Sequence, residues 1–280
     1  MTSLAVTGYA SVDYAFGLSG QIEGDHTTLI DSRDNDDWPR IGGCPAYVAM
    51  AVSAQGQDAL PVTWLGNDNH ARIYLDSLAK SKIRTDGVAR IGQNSPMAIL
   101  AYQQDGTCAC LFDPAFSGEE NLTAKQKQVI GAASHLCITV GPPHLMEAVL
   151  ASRSPSARLY WICKNDAHCF TREIRTSLSA QADVIFCSRS ERGMVGETPE
   201  HVTIVETQGS KGVTITKGNL QETIGVEPIT VRDTTGAGDT FAGGYIAAEM
   251  AGISDPAKAA QRGLETVKLL LQTRSAKEIQ

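Results

Sequence analysis

No long hydrophobic run occurs in this chain. None of its apolar stretches approaches the roughly 20 residues that a transmembrane helix requires. Because no basic segment followed by an apolar one opens the sequence, we expect no secretory signal and a cytoplasmic protein. The net charge of −7 argues against non-specific binding to nucleic acids or to anionic membranes. An anionic substrate stays compatible with this charge, since a local site can be positive on an acidic protein.

The common phosphate-binding and catalytic motifs are also absent. Without G-x-x-x-x-G-K-[ST] the chain is not a P-loop enzyme, and without a His-Arg-Asp loop or Asp-Phe-Gly it is not a protein kinase. No G-x-G-x-x-G follows the first strand, which argues against a nicotinamide-dependent oxidoreductase. The seven cysteines are scattered, which favours reduced, buried thiols over disulfides or a zinc site.

Short apolar runs alternate with amphipathic segments along most of the chain. The runs at 135–140, 159–163, 183–187 and 202–206 predict strands, with helices expected between them. This order predicts an α/β fold with a mostly parallel central sheet and helices on both faces. Ligands bind to such sheets beyond the carboxyl ends of the strands. No linker rich in proline, glycine or serine appears, so we expect residues 1–280 to form one domain.

Two segments do not follow this alternation of strands and helices. Residues from about 14 to 40 are polar and read as an excursion outside the core, with a strand expected at 27–30. The segment 97–113 alternates like two strands joined at Asp105-Gly106, which predicts a hairpin. The chain closes with two helices, expected at 238–251 and 256–271.

The run 233–244 is the most informative feature of the sequence. It predicts an extended segment, a turn formed by Gly236, Ala237 and Gly238, and a helix with Asp239 in its first turn. Backbone N–H groups at a helix start form an anion site, and a carboxylate beside them could accept a proton from an attacking hydroxyl. Asp239 also has a plainer role, a favourable interaction with the helix dipole worth about 0.3–1 kcal/mol.

A second glycine-rich segment, 207–212, directly follows a predicted strand. It could place backbone amides and the hydroxyl of Thr207 against nucleotide phosphates, although the same pattern also occurs in plain loops.

Taken together, these segments resemble the ribokinase / phosphofructokinase-B family of carbohydrate and nucleoside kinases. The resemblance covers most of the chain in order, and its most specific motif is 233–239. It implies a three-layer ribokinase-like sandwich with a small β lid, supplied here by 14–40 and 97–113. Its other motifs are Val6-Thr7-Gly8 with Asp13, Gly42-Gly43-Cys44-Pro45-Ala46, Leu65-Gly66-Asn67-Asp68 and the loop 207–212.

The resemblance implies an ATP-dependent phosphotransferase that acts on a hydroxyl of a sugar or nucleoside. Asp239 matches the general base, and the amides from Gly236 to Gly238 match the anion hole. The remaining matches are Thr207, Gly209, Lys211 and Gly212 for the nucleotide, Asp13, Gly42 and Gly43 for substrate hydroxyls, and Asp233 with Thr235 for a monovalent cation such as K⁺ in some members.

Two residues depart from the family pattern. Tyr47 stands where members usually carry an Asn that contacts the sugar, and it could either stack on a substrate ring or serve as a core aromatic. In the Asn-x-x-Glu pattern that organises Mg²⁺ and phosphate, Glu191 is kept but Ser188 replaces Asn. These departures motivate an alternative, a non-catalytic binder of sugars or nucleosides.

The acceptor stays open between sugars, phosphorylated sugars and nucleosides. A phosphorylated sugar would require extra cations, which Arg40, Arg84 or Lys164 could supply. Lys164 follows a predicted strand and so lies at the ligand edge, where it could contact a phosphate, although a solvated turn is the favoured interpretation. Paired lids could build a homodimer, which the lid sequence alone does not decide.

Overall fold

The computed structural model describes residues 3–35, 37–116 and 118–278. Asp36, within the predicted lid segment, lies outside the described residues. The strands are β1 (Ser3–Thr7), β2 (Ser11–Leu18), β3 (Ile30–Arg33), β4 (Arg40–Gly42), β5 (Asp58–Leu65), β6 (Val88–Arg90), β7 (Met97–Tyr102), β8 (Cys108–Asp113), β9 (His135–Ile138), β10 (Arg158–Ile162), β11 (Val184–Ser188), β12 (Thr203–Thr207), β13 (Val213–Lys217) and β14 (Leu220–Ile224). The helices are α1 (Cys44–Ala54), α2 (Asn69–Lys80), α3 (Ala124–Ala132), α4 (Met146–Ser152), α5 (Arg172–Gln181), α6 (Ala237–Met250) and α7 (Pro256–Glu278).

A nine-stranded sheet forms the centre of the molecule, in the order β14-β13-β12-β11-β10-β9-β1-β5-β6. The strands from β12 to β6 are parallel, and β13 and β14 add an antiparallel hairpin at one edge. The predicted α/β sheet is therefore confirmed.

Two hydrophobic clusters cover the two faces of this sheet. Along β1, Leu4 and Val6 pack into the cluster that contains α1, α2, α6 and α7. Ala5 points the other way, into the cluster beneath α3, α4 and α5. Because both faces are covered, the inner strands read as continuous apolar runs rather than alternating ones.

A second, smaller sheet has the order β3-β2-β7-β8, with β4 paired to β2. It is consistent with the predicted lid, and the hairpin at Asp105-Gly106 is confirmed, because β7 and β8 pair antiparallel from Tyr102 opposite Cys108. The strand expected at 27–30 was misplaced: β3 begins at Ile30. Its four residues are exposed, so no burial pattern marks this strand.

The ends of two helical segments differ from the sequence expectation. The last helix was expected to end at 271 but continues to Glu278. Its apolar pattern stops near Leu271, whereas the polar residues beyond are compatible with a helix. The helix expected near Ser190 is only a 3₁₀ turn, Arg192–Met194. None of the described helices has both the length and the apolar character that crossing a membrane requires.

The position of α6 depends on two glycines that let it pack closely on both sides. A Cβ on Gly243 would lie 2.6 Å from Cβ of Ala51 in α1, and one on Gly244 would lie 2.5 Å from Oγ1 of Thr266 in α7. The helix is thereby held between α1 and α7, with its N-terminus near the carboxyl ends of the parallel strands.

Candidate active site

A glycine turn opens α6. Gly236 precedes the helix with φ 69° and ψ 5°, a left-handed conformation that favours glycine. The carbonyl of Gly236 accepts from the amide of Thr240 at 2.8 Å, and the amide of Ala237 donates to the carbonyl of Thr234 at 3.0 Å. Of the three predicted anion-hole amides, that of Ala237 is therefore already engaged within the turn.

Asp239 lies in the first turn of α6 and is only 5% exposed. Its Oδ1 is 3.3 Å from Nζ of Lys164, which follows β10. Burial lowers the pKa of Lys164, but its interactions with Asp239, Cys44 and Glu191 together outweigh burial and raise that pKa above its usual value. The expectation of a solvated turn at Lys164 was therefore wrong, because its ammonium group pairs with the candidate base.

Cys44, at the start of α1, is a further neighbour of Asp239. Burial and the nearby Asp239 carboxylate both raise the pKa of the Cys44 thiol well above its usual value. The thiol therefore stays protonated beside the candidate base, which does not suit a nucleophile.

Asp13 lies on β2 and is buried, with its carboxylate accepting from the hydroxyl of Ser11. Burial raises its pKa from the ordinary 3.8 to about 6, although Ser11 and Arg40 act in the opposite direction. Gly42 lies across the β2–β4 ladder, where any Cβ would collide with the Asp13 carboxylate. The predicted pair of Asp13 and Gly42 is thus brought together.

Gly43 follows with φ 83°, and a Cβ there would lie 2.5 Å from the carbonyl oxygen of Tyr9. Neighbouring atoms come so close at positions 42 and 43 that neither position has room for a side chain.

Tyr47 is buried in α1 and packs against the glycine turn. A Cβ on Gly236 would lie 2.6 Å from its ring carbons. Of the two interpretations left open by the sequence, this packing favours the core aromatic, because one ring face is covered by the turn.

Asp233 lies between two arginines. Its Oδ2 is 2.6 Å from Nη2 of Arg40, and its Oδ1 is 3.4 Å from Nη1 of Arg274. Burial raises the pKa of Asp233, but the two guanidinium groups outweigh it and hold that pKa below its usual value. Oδ1 also accepts from the amide of Thr235 at 3.0 Å, and the Thr235 hydroxyl bonds to Oη of Tyr102 in β7 at 2.5 Å.

A cavity of about 800 Å³ opens beside this cluster, at the carboxyl ends of β10, β11 and β12. Its lining includes Lys164 and Gly238 at one end. The predicted loop contributes Thr207, Gly209 and Gly212, whereas Lys211 is exposed and lies outside the lining. Segment 226–231 and α7 contribute mostly apolar side chains to the lining, together with the polar Glu227, Gln261, Glu265 and Lys268; the apolar ones include Val226, Ile229, Val231, Leu264, Val267 and Leu271.

Glu191 borders the same cavity, and backbone amides hold its carboxylate. Oε2 accepts from the amide of Ser188 at 2.7 Å, and Oε1 from the amide of Asn165 at 3.3 Å. The Ser188 hydroxyl bonds to Ser190 Oγ at 2.9 Å. Across the described ranges, no group of three or more His, Cys, Asp or Glu side chains could hold a metal ion by itself.

The sequence did not identify three residues that contact the predicted site residues Asp13, Asp233 and Thr235. Arg274 and Tyr102 come from distant parts of the chain, and no local motif marks either residue. Ser11 lies two residues before Asp13, and because alternate residues of a strand share a face, this spacing could have identified it.

Comparison with known proteins agrees with this architecture. Residues 1–279 match the family described as pfkB family carbohydrate kinase. A fructokinase from Rhizobium leguminosarum bv. trifolii is 25% identical over 235 residues, which cover 75% of this chain and 71% of the relative.

Two solved structures share the fold at low sequence identity. A nucleoside kinase from Burkholderia thailandensis in complex with inosine is 18% identical, with a TM-score of 0.80 over 94% of this chain and 89% of its own. A ribokinase from Cryptococcus neoformans var. grubii serotype A in complex with ADP is 18% identical, with a TM-score of 0.79 over 97% of this chain and 94% of its own. The chain belongs to the pfkB family of carbohydrate kinases.

Proposed function

We propose that this protein transfers the γ-phosphoryl group of ATP to a hydroxyl of an uncharged sugar or nucleoside. The observation that carries the proposal is the buried Asp239, paired with Lys164 at the start of α6, where the large cavity ends. A carboxylate, a cation and a glycine turn meet there at the ligand-binding edge of a parallel sheet.

The cavity fits a nucleotide in size and in lining. Its volume of about 800 Å³ is within the range of roughly 300–1,000 Å³ typical of small-molecule sites. The apolar wall formed with Leu264, Val267 and Leu271 suits a base, and the glycines at 209 and 212 permit close approach of the backbone to phosphates. When bound, ATP supplies the phosphoryl group.

Asp239 would act as the general base toward the acceptor hydroxyl. Its carboxylate is fixed by the helix and by Lys164, and a positioned base of this kind contributes roughly 10²–10⁴-fold to the rate. Lys164 has a second role in the proposal. Its ammonium group borders the cavity beside Gly238, where negative charge on the transferred group would be stabilised.

The residues at this site are compatible with an Mg²⁺ ion that is held mainly by the phosphates of ATP. Mg²⁺ is usually held by one or two carboxylates together with substrate phosphates and water, and it would neutralise phosphate charge. Glu191 is a carboxylate that borders the cavity near Ser188, and hydrogen bonds from two backbone amides fix its position there.

The charges around the site favour an uncharged acceptor. Arg40 is paired with Asp233 and Lys164 with Asp239. Arg84 pairs with Asp58 at the start of β5, so it lies at the amino-terminal ends of the strands, opposite the carboxyl ends where the cavity opens. The three cations that a phosphorylated sugar could use are therefore neutralised or remote, whereas Asp13 offers an acceptor to hydroxyl donors.

A screen of ATP consumption over neutral sugars, nucleosides and phosphorylated sugars tests this proposal. We expect turnover with at least one neutral acceptor and none with its phosphorylated counterpart. A preference for the phosphorylated compound would overturn the assignment of the acceptor. Tight binding of a sugar or nucleoside without any turnover would instead support the non-catalytic alternative that Tyr47 and Ser188 motivate.

A further inference from the structure

Three oxygen atoms converge on one nitrogen just before α6. Nη1 of Arg274 lies 2.5 Å from the carbonyl oxygen of Thr235 and 3.3 Å from that of Asp233. It also lies 3.4 Å from Oδ1 of Asp233. Two main-chain carbonyls and a carboxylate are the kind of oxygen set that holds a hard cation. In this protein the cation at that point is a side chain of α7.

The guanidinium of Arg274 is fixed on its other sides as well. Its Nη2 is 3.5 Å from Oη of Tyr47, its carbon is 6.0 Å from the centre of that ring, and the side chain is only 11% exposed. A phenol ring is a favourable surface for a guanidinium group. Tyr47, which departs from the family pattern, therefore contacts the same cation.

The local charge leaves no place for a separate monovalent ion. The carboxylate of Asp233 has Arg274 on Oδ1 and Arg40 on Oδ2, so each of its oxygens already faces a guanidinium group. A K⁺ ion at these oxygens would have to displace the guanidinium of Arg274, which already supplies a positive charge there. The site implied for Asp233 and Thr235 by the family resemblance does not fit K⁺ in this chain.

The contact also acts on the glycine turn. The carbonyl of Thr235 belongs to the same peptide group as the amide N–H of Gly236, one of the predicted anion-hole donors. A charged donor on the carbonyl polarises that peptide and strengthens its N–H as a donor. Arg274 would thus orient and polarise the turn without touching the substrate.

We propose that Arg274 is a positioning residue that takes the place of a monovalent cation, so that this kinase works without K⁺. This inference rests on the proposed phosphotransfer. It concerns how the turn before Asp239 is held, and it can be tested separately from the identity of the acceptor.

Enzyme assays compare the wild type with Arg274→Ala in buffers of equal ionic strength that contain K⁺, Li⁺ or a large organic cation. We expect wild-type kcat to be the same in all three, and Arg274→Ala to lose about 10-fold or more without K⁺. Either K⁺ or dilute guanidinium should restore much of the loss. Arg72→Ala, which removes an exposed arginine from α2, is the matched control and should behave like the wild type.

Several results would overturn the proposal. One is a wild-type enzyme that K⁺ activates several-fold over Li⁺. Another is full activity of Arg274→Ala in the buffer that contains the organic cation. A third is a folded Arg274→Ala whose lost activity is restored by neither K⁺ nor guanidinium. Arg274→Lys keeps a positive charge and provides a second variant, for which we expect activity independent of K⁺.

Thermal unfolding gives a readout that needs no acceptor. We expect K⁺ to leave the wild-type midpoint unchanged relative to Li⁺, and to raise that of Arg274→Ala by about 2 °C or more through binding at the vacated oxygens. A K⁺-specific rise in the wild type would contradict the proposal. If no acceptor is phosphorylated, the proposed function fails, whereas the unfolding comparison still decides the role of Arg274.

Discussion

Asp13 is a buried carboxylate whose charge should cost the protein stability, so we expect Asp13→Asn to be more stable than the wild type. Only 3% of the residue is exposed, and burial raises its pKa from 3.8 to about 6. The difference of about 2.2 units corresponds to about 3 kcal/mol. Asn keeps an oxygen that can accept from Ser11 but carries no charge.

The sign of the effect follows from proton binding. Between about pH 4 and pH 6 the folded protein holds a proton on Asp13 that the unfolded chain has released. The free energy of unfolding therefore falls as pH rises through this window and stays lower above it. We expect Asp13→Asn to exceed the wild type by up to about 3 kcal/mol at about pH 8, with the gap closing toward about pH 4.

Urea denaturation at several pH values measures this difference, with Asp76→Asn, at an exposed position of α2, as the control. Acceptor KM is measured beside it. A protonated carboxyl accepts hydrogen bonds less well, so wild-type KM should rise as pH falls below about 6, whereas KM of Asp13→Asn should be high throughout. An Asn variant that is less stable than the wild type at about pH 8, or a stability difference independent of pH, would show that the charge of Asp13 does not destabilise the fold.

The other predictions concern the turn at α6. Lys164→Met should lower kcat by roughly 10²-fold, because it removes the cation beside Asp239 and Gly238; an unchanged rate of ATP turnover would contradict this. Gly236→Ala should cost at least about 1–3 kcal/mol for its left-handed backbone, plus a collision with the ring of Tyr47. Thermal unfolding of Gly236→Ala and of the control Gly252→Ala checks this, because Gly252 has φ +94° but open space around it. Equal losses of stability in the two variants would exclude the collision.

The central sheet was accessible from sequence because its strands are buried on both faces. Runs such as Leu136 to Ile138 are uninterrupted and apolar, so length and composition identify them as parallel strands. β2 was not identified, because Ser11, Asp13 and Gly17 break its apolar pattern. Two of these interruptions, Ser11 and Asp13, bond to each other beside Gly42 in the candidate site.

The candidate site also has a part that the sequence predicts and a part that it does not. Asp239 and the glycine turn lie in one contiguous motif, so their proximity follows from local geometry. Arg274 reaches the turn from α7, and Lys164 from the end of β10, through contacts that depend on helix packing and strand order. Such contacts between distant segments leave no spacing that a single sequence could reveal.

General-base catalysis by Asp239 is tested by measuring kcat of Asp239→Asn with the acceptor identified by the screen. If Asp239 is the general base, kcat should fall by roughly 10²–10⁴-fold while circular dichroism and thermal unfolding show a folded protein. Asp76→Asn should keep the wild-type rate. A folded Asp239→Asn that phosphorylates the acceptor at nearly the wild-type rate would exclude Asp239 as the general base.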